Sequence, residues 1–232
     1  MKVPGEPIIK AKPLRGFSHR KAIYIPVDTP SHFFLSLLEK KALRHRKTPY
    51  GRFFLLDNSV VLYQAVGAPV AVIGLEQLIA GGVKEIFIFG FCGSLNPDLS
   101  ALDVVSITKA HSEEGTSGHY IARKKIFDSS SGLRKEIENT LSGRNLPFRQ
   151  GVTISTDALF RETEIWLRDK LNKGIDVADM EASAVFALGE YHNIPAAALM
   201  IVSDELAGKK WKNIFKSPRL NARVKDYFFP FL

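Results

Sequence analysis

The sequence predicts an α/β fold, a three-layer sandwich in which helices flank a mixed central β-sheet. Three observations lead to this prediction. Short runs of β-forming residues alternate with segments of helical periodicity. Several strand segments are apolar throughout, which is typical of strands covered on both faces. The length of 232 residues suits a single domain over 1–232, with residues 1–20 expected to form a flexible N-terminal arm.

The first half of the chain predicts a strand, a helix, a hairpin, a second helix and an apolar strand. These segments are 22–27, 32–43, 53–57 with 59–66, 70–82 and 85–90. Apolar residues three to four apart indicate the helices, and runs of β-branched and aromatic residues indicate the strands. Gly67 and Pro69 mark the start of the second helix, and two glycines mark its end.

The second half alternates in the same way and ends in an aromatic tail that is expected to begin as a helix. The strands are predicted at 103–108, 151–156 and 196–202, and the helices at 132–141, 163–171 and 181–191. The stretch 109–131 has weak periodicity, so we expect a long loop beside a ligand there.

Composition limits the classes of function. The net charge is +8, but the densest basic stretches, 40–47 and 122–125, are short and lack interleaved aromatic residues. A solvated basic surface or a general attraction for anionic ligands is therefore favoured over a nucleic-acid site. No apolar run reaches the ~18 residues that a membrane span requires. One cysteine, Cys92, permits no internal disulfide and is compatible with a cytoplasmic location.

Polar and glycine-rich segments follow the predicted strands. They are FCGSL (91–95), EEGTSGHY (113–120), DALFRET (157–163) and SDE (203–205), and ADMEASA lies ahead of the helix at 181–191. Ligands in sheets of this class bind beyond the carboxyl ends of the strands. The sequence therefore predicts a ligand site at one edge of the sheet. No spacing of His, Cys, Asp and Glu suggests a metal site.

Together, GAPVAVIGLEQLIAGGVKEIFIFGFCGSL, EEGTSGHY, GVTISTDALF and DMEASAVFALGEYHNIPAAALMIVSDE resemble the nucleoside phosphorylase superfamily over roughly residues 60 to 206. That family includes uridine phosphorylase, purine nucleoside phosphorylase and methylthioadenosine nucleosidase, and EEGTSGHY and STDALFRET are most similar to the uridine-phosphorylase-like branch. The resemblance implies cleavage of a nucleoside's N-glycosidic bond by phosphate or water, in nucleotide salvage. It also implies that no cofactor is needed, that phosphate is the co-substrate if the reaction is phosphorolysis, and that the protein is a dimer-based homo-oligomer.

The resemblance also implies roles for the acidic residues. Glu181 would bind the ribose hydroxyls, and Met180 would pack on the sugar. The alternative for Glu181, placed one turn into a helix, is a structural carboxylate paired with a buried Arg or backbone amides. Asp204 would protonate the leaving base, and its alternative role is to cap the next helix.

Further residues are expected near the substrate. Leu159 and Phe160 would stack on the base, while Arg161 and Glu162 either contact the base or form a surface pair with each other. His119 either hydrogen-bonds near the substrate or lies at the surface. The remaining candidates, by their position after a strand, are Gly90, Phe91, Cys92, Gly93 and Thr156. Cys92 itself is expected to be buried and inert.

The phosphate site of the family is not recognisable. Ile88 and Phe91 stand where the resemblance would place an arginine and a hydroxyl residue, and PVDTPSHF (26–33) lacks the Gly-Asp-x-x-Arg pattern. Ile and Phe offer no donors for a phosphate. Phosphorolysis and hydrolysis both stay open, as does a non-catalytic nucleoside-binding or storage protein.

Overall fold

The computed structural model describes residues 1–29, 31–207 and 211–232. The strands are β1 (Lys21–Ile25), β2 (Arg44–Thr48), β3 (Gly51–Leu55), β4 (Val60–Tyr63), β5 (Glu85–Ser94), β6 (Val104–Ser112), β7 (Ile126–Asp128), β8 (Arg149–Ser155), β9 (Val177–Asp179), β10 (Ala196–Glu205) and β11 (Lys212–Asn213). The α-helices are α1 (Phe33–Lys41), α2 (Ala68–Ala80), α3 (Ser131–Ser142), α4 (Glu164–Asn172), α5 (Ala182–His192) and α6 (Pro218–Phe228). All the helices and strands that were predicted from the sequence are present.

The long strand β5 organises the sheet. It pairs in parallel with β1 along one edge and with β10 along the other. Its last two residues, Gly93 and Ser94, pair with the short strand β9, which continues through β8 and β6 back to β10. These five strands form a closed ring, and β1, β4, β3 and β2 extend from it as an open sheet. Parallel and antiparallel pairs both occur, so the sheet is mixed as predicted.

Helices cover both faces of this sheet. Ile86 and Ile88 of β5 pack into the core beneath α2 and α5, whereas Phe87 and Phe89 pack into the core beneath α1, α3 and α6. Successive side chains of a strand point to opposite faces, so an entirely apolar strand has to be covered on both. Helix α4 packs on a smaller apolar cluster near β8 and β9. The three-layer sandwich is confirmed.

The prediction of a long loop over 109–131 was wrong at both ends, and the loop is confined to residues 113–125. Strand β6 continues to Ser112, β7 pairs with it, and a short 3-10 turn spans Ser117–His119. The buried carboxylate of Glu114 fixes this segment, because it accepts hydrogen bonds from the Thr116 and Ser117 amides and from the Ser183 hydroxyl. Side-chain bonds of this kind leave no periodic pattern in the sequence.

The N-terminal segment contacts the body of the domain. Lys2 forms a β-bridge with Ile121, and Leu14 and Phe17 are buried in the core next to α2. Across the described ranges, no helix has the length and apolar character needed to cross a membrane.

Candidate active site

A cavity of about 230 Å³ lies at the carboxyl ends of β5 and β10 and at the start of α5. The predicted site residues that line it are Phe91, Cys92, Gly93, Leu159, Met180, Glu181 and Asp204. The other lining residues are Pro26, Val27, Val66, Glu162, Ala178, Asp179, Ser203, Leu206, Trp211 and Phe215. The structure therefore brings together segments that are more than 150 residues apart in the chain.

Five predicted residues lie outside this cavity. Gly90 is inside β5, where an added Cβ would stand 3.4 Å from Pro26 Cδ. Thr156 is buried and its hydroxyl accepts a hydrogen bond from the Ala158 amide (3.2 Å). Phe160 is 95% exposed and lines a neighbouring cavity. Arg161 and His119 are exposed. These five were candidates by position in the chain, and none of their side chains lines the cavity.

Glu181 is the N-cap of α5, so the expectation that it lies one turn into the helix was wrong. Its side chain is 6% exposed, and Oε1 accepts a hydrogen bond from the Gly67 amide (2.6 Å) just before α2. Among the described residues no arginine pairs with it. One backbone amide is a small compensation for burying a carboxylate, which costs several kcal/mol when unpaired.

The carboxyl groups of Asp179 and Glu181 lie close together in the wall of the cavity. Burial and the charge of Asp179 raise the pKa of Glu181 to about 8, although the Gly67 and Met180 amides act in the opposite direction. Burial raises the pKa of Asp179 to about 6. Asp179 Oδ1 accepts hydrogen bonds from the Ser155 hydroxyl and from the Glu181 and Ala182 amides. Its buried Oδ2 has no partner among the described residues. This pair therefore favours a ligand that supplies hydrogen-bond donors.

Asp204 lies inside β10, at a register shift between Val202 and Asp204, so its alternative role as a helix cap was wrong. The carboxyl group is held from both sides. Oδ1 accepts from the Ser203 hydroxyl (2.8 Å), and Oδ2 accepts from the indole Nε1 of Trp211 (2.8 Å). An added Cβ at Gly93 would stand 3.1 Å from Asp204 Oδ2 and 2.6 Å from Leu206 Cδ1, so the carboxyl group packs closely against the backbone of this glycine.

Trp211 is a cavity residue that the sequence did not reveal. Glu162 was expected either to contact the base together with Arg161 or to form a surface pair with it. It lines the cavity, and no ion pair with Arg161 is present in the described part of the chain. Burial and the charge of Asp204 raise the pKa of Glu162 to about 7. The signal that pointed to Glu162 was its position after the strand at 151–156, and nothing comparable pointed to Trp211.

The cavity is acidic. Four carboxyl groups line it, from Glu162, Asp179, Glu181 and Asp204, and the described lining contains no lysine, arginine or histidine. The thiol of Cys92 is buried, and burial together with Asp179 and Asp204 raises its pKa. Its burial agrees with the prediction for Cys92, and a raised pKa is typical of unreactive cysteines.

The loop after β1 contains an internal anion. Asp28 Oδ1 accepts hydrogen bonds from the amides of Thr29 (2.7 Å) and Phe34 (2.9 Å), and Oδ2 from the Leu35 amide (3.0 Å) and the Tyr63 hydroxyl (2.5 Å). Phe34 and Leu35 belong to the first turn of α1. A helix N-terminus is a natural anion site, and here a side chain of the chain itself fills it. Pro30 of this loop lies outside the described residues.

Comparison with known proteins gives a family and a set of relatives. The family model described as the phosphorylase superfamily matches residues 37–224. A guanosine phosphorylase of Halorubrum lacusprofundi is 28% identical over 161 residues, which is 69% of this chain and 67% of the relative. A DeoD-type purine nucleoside phosphorylase of Clostridium novyi is 26% identical over 147 residues, 61% of each chain.

Solved structures share the fold at low sequence identity. The purine nucleoside phosphorylase of Toxoplasma gondii, in complex with immucillin-H, has a TM-score of 0.75 at 18% identity and covers 97% of this chain and 96% of its own. The 5′-methylthioadenosine/S-adenosyl homocysteine nucleosidase of Campylobacter jejuni has a TM-score of 0.76 at 18% identity, with coverages of 92% and 97%. The architecture is thus the nucleoside phosphorylase-like sandwich that was expected.

Proposed function

The chain belongs to the phosphorylase superfamily, and from this premise we propose that it cleaves the N-glycosidic bond of a nucleoside, giving the free base and a ribose product. One observation carries the proposal. A buried carboxyl group, Glu181, has no cation beside it among the described residues and lines the same cavity as Asp204. The first of these needs hydrogen-bond donors, and a ribose diol has two.

Glu181 is proposed to bind the ribose. Burial and the charge of Asp179 raise the pKa of Glu181 to about 8, so the neutral carboxyl group prevails when the pH is lower than this. Two hydroxyl donors would stabilise the ionised form by charge-assisted hydrogen bonds. Met180 lines the same wall and offers an apolar surface to the sugar. Glu181 thus lines the cavity and can accept further hydrogen bonds from a ligand.

Asp204 is proposed to act on the base. Its two oxygens are fixed by Ser203 and Trp211, so the carboxyl group has one orientation in the cavity. The leaving base gains electrons as the bond to C1′ breaks, and a carboxyl group that donates a proton to it favours departure. The relatives described as purine and guanosine phosphorylases make a purine the favoured base.

The Asp204→Asn variant is expected to lose at least about 100-fold in kcat on a purine nucleoside with little change in KM, because the asparagine amide cannot replace the acid. Steady-state kinetics of base release measures this. Asp226→Asn, an exposed change on α6, is the matched control and should behave as the unmodified protein. An unchanged kcat in Asp204→Asn would remove Asp204 from the mechanism.

Water is proposed as the nucleophile. Phosphate is a dianion, and the described lining offers it four carboxyl groups and no cationic side chain. The anion position at the start of α1 is taken by Asp28, and Ile88 is fully buried in the core. In the reaction, the water oxygen bonds to C1′ and gives up a proton, while the base leaves with the electron pair of the broken bond and takes a proton from Asp204. The proton released by water restores the acid, so that one water is consumed in each cleavage. The proposal requires no cofactor.

Base release tests this function. The protein is incubated with adenosine, inosine, guanosine, uridine and methylthioadenosine, in phosphate-free buffer and with millimolar phosphate, and the products are separated by chromatography. We expect free base and free ribose at the same rate in both buffers. Ribose 1-phosphate, formed only with phosphate, would overturn hydrolysis. Tight nucleoside binding without release of any base would favour the binding or storage protein instead.

A further inference from the structure

A second cavity of about 380 Å³ lies next to the first. Its lining residues are Leu159, Phe160, Glu162, Thr163, Glu164, Leu167, Leu206 and Trp211. Four of them, Leu159, Glu162, Leu206 and Trp211, also line the first cavity. The two cavities therefore adjoin each other along a shared wall.

The walls of the second cavity indicate what fits there. Large apolar side chains are exposed around it, with Phe160 95%, Trp211 61% and Leu159 46% exposed. Such a concentration of exposed apolar surface is uncommon on a soluble protein unless it binds something. The charged groups at its rim are the carboxyls of Glu162 and Glu164, and the described lining has no cation. A neutral apolar group fits these walls.

The position of the second cavity decides which part of a substrate would enter it. Trp211 lines both cavities and donates its indole N–H to Asp204. Glu181, in contrast, accepts from Gly67 and lies beside Asp179, and none of these three lines the second cavity. The second cavity thus adjoins the Asp204 end, which the proposed function assigns to the base.

We propose that the second cavity is a subsite for a neutral apolar substituent on the base, so that the substrates are base-substituted nucleosides such as N6-alkyl or N6-benzyl adenosines. The assignment of the substituent to the base rests on the proposed function. The subsite itself can be tested by binding, without turnover.

The probes are adenine with N6-benzyladenine, and adenosine with N6-benzyladenosine. Calorimetry measures the affinity of each for the protein. Burial of the benzyl ring should increase the affinity about 10- to 50-fold over the unsubstituted compound. In Phe160→Ala this preference should fall about three- to tenfold, since part of the apolar wall is lost. Ile165→Ala is the matched control, because Ile165 is 75% exposed in the same segment and lines neither cavity.

Each outcome has one meaning. Preferential binding of the benzyl compounds without any cleavage would keep the subsite and reject the proposed function. Cleavage of adenosine with no preference for the benzyl compounds, or a preference that Phe160→Ala leaves intact, would overturn the subsite. Dissociation of an oligomer in Phe160→Ala, measured by sedimentation and without a benzyl preference in the unmodified protein, would assign the apolar walls to a contact between copies.

Discussion

Nucleoside binding is expected to be lost in Glu181→Gln, while the fold stays as stable as before or becomes more stable at alkaline pH. Glutamine cannot form two charge-assisted hydrogen bonds with a diol. Each such bond is worth about 1.5–3 kcal/mol, so affinity and kcat/KM should fall by about 100- to 10,000-fold. The side chain is nearly isosteric, and its amide oxygen can still accept from the Gly67 amide that now binds Glu181.

The stability effect has a definite sign. The pKa of Glu181 is about 8 in the folded protein, against an ordinary value of 4.5. Between these values the unfolded chain releases the proton and the folded chain keeps it. The free energy of unfolding therefore falls as the pH rises from about 4.5 to 8. Asp179, raised from 3.8 to about 6, acts in the same direction at lower pH. Glutamine removes the larger of the two contributions.

Denaturant unfolding at pH 5, 7 and 9, together with calorimetric titration of a nucleoside, measures both effects. A flatter pH dependence with binding abolished is the expected result for Glu181→Gln. Glu190→Gln removes an exposed carboxyl that pairs with Lys124 and serves as the control for a lost surface charge. Should Glu181→Gln unfold at every pH, the carboxylate would be structural and the assignment of the ribose site would fail.

A large loss of stability is expected for Asp28→Ala. The carboxylate receives four hydrogen bonds, from three backbone amides and the Tyr63 hydroxyl, at a site that is 8% exposed. Its removal leaves these donors without their acceptor. The partial positive charge at the N-terminus of α1 then has no carboxylate beside it. Hydrogen bonds to a charged group are worth about 1.5–3 kcal/mol each and are not additive, so a loss of about 3–5 kcal/mol is expected.

For a chain of this length such a loss lowers Tm by about 10 °C or more. Differential scanning calorimetry measures it, with Asp28→Asn as the intermediate case that keeps one acceptor oxygen. Added phosphate or sulfate should raise the Tm of Asp28→Ala, because the helix terminus is then open to an anion, and should leave the unmodified protein unchanged. Equal stabilisation of the unmodified protein by phosphate would reveal another anion site and contradict water as the nucleophile.

The fold was largely predictable because its strands are apolar on both faces. The sequence EIFIFG needs cover on each side, and α2 with α5 and α1 with α3 and α6 provide it. Strands β2, β7, β9 and β11 were not predicted, and β2 and β9 illustrate two different reasons. Residues 44–48 are polar and mostly exposed at the end of the sheet, whereas 177–179 are too few to show a period.

The candidate site was predictable only in part. Glu181 and Asp204 belong to segments whose order along the chain resembles a known family, and the structure places both at one cavity. Trp211 and Asp28 were not recognised. Their environments arise from contacts distant in sequence, such as the Trp211–Asp204 hydrogen bond or the Asp28 contact with Tyr63. Burial of a single acidic residue leaves no local pattern that a sequence could show.

Strand β9 couples the closure of the sheet to the formation of the cavity. Its three residues close the ring of five strands through Gly93 and Ser94, and the chain then passes directly to Met180 and Glu181. A chain in which β9 is detached therefore has neither a closed ring nor a complete cavity. Closure of the sheet and binding in the cavity are therefore thermodynamically linked. A ligand that binds only the closed form would stabilise the pairing of β9.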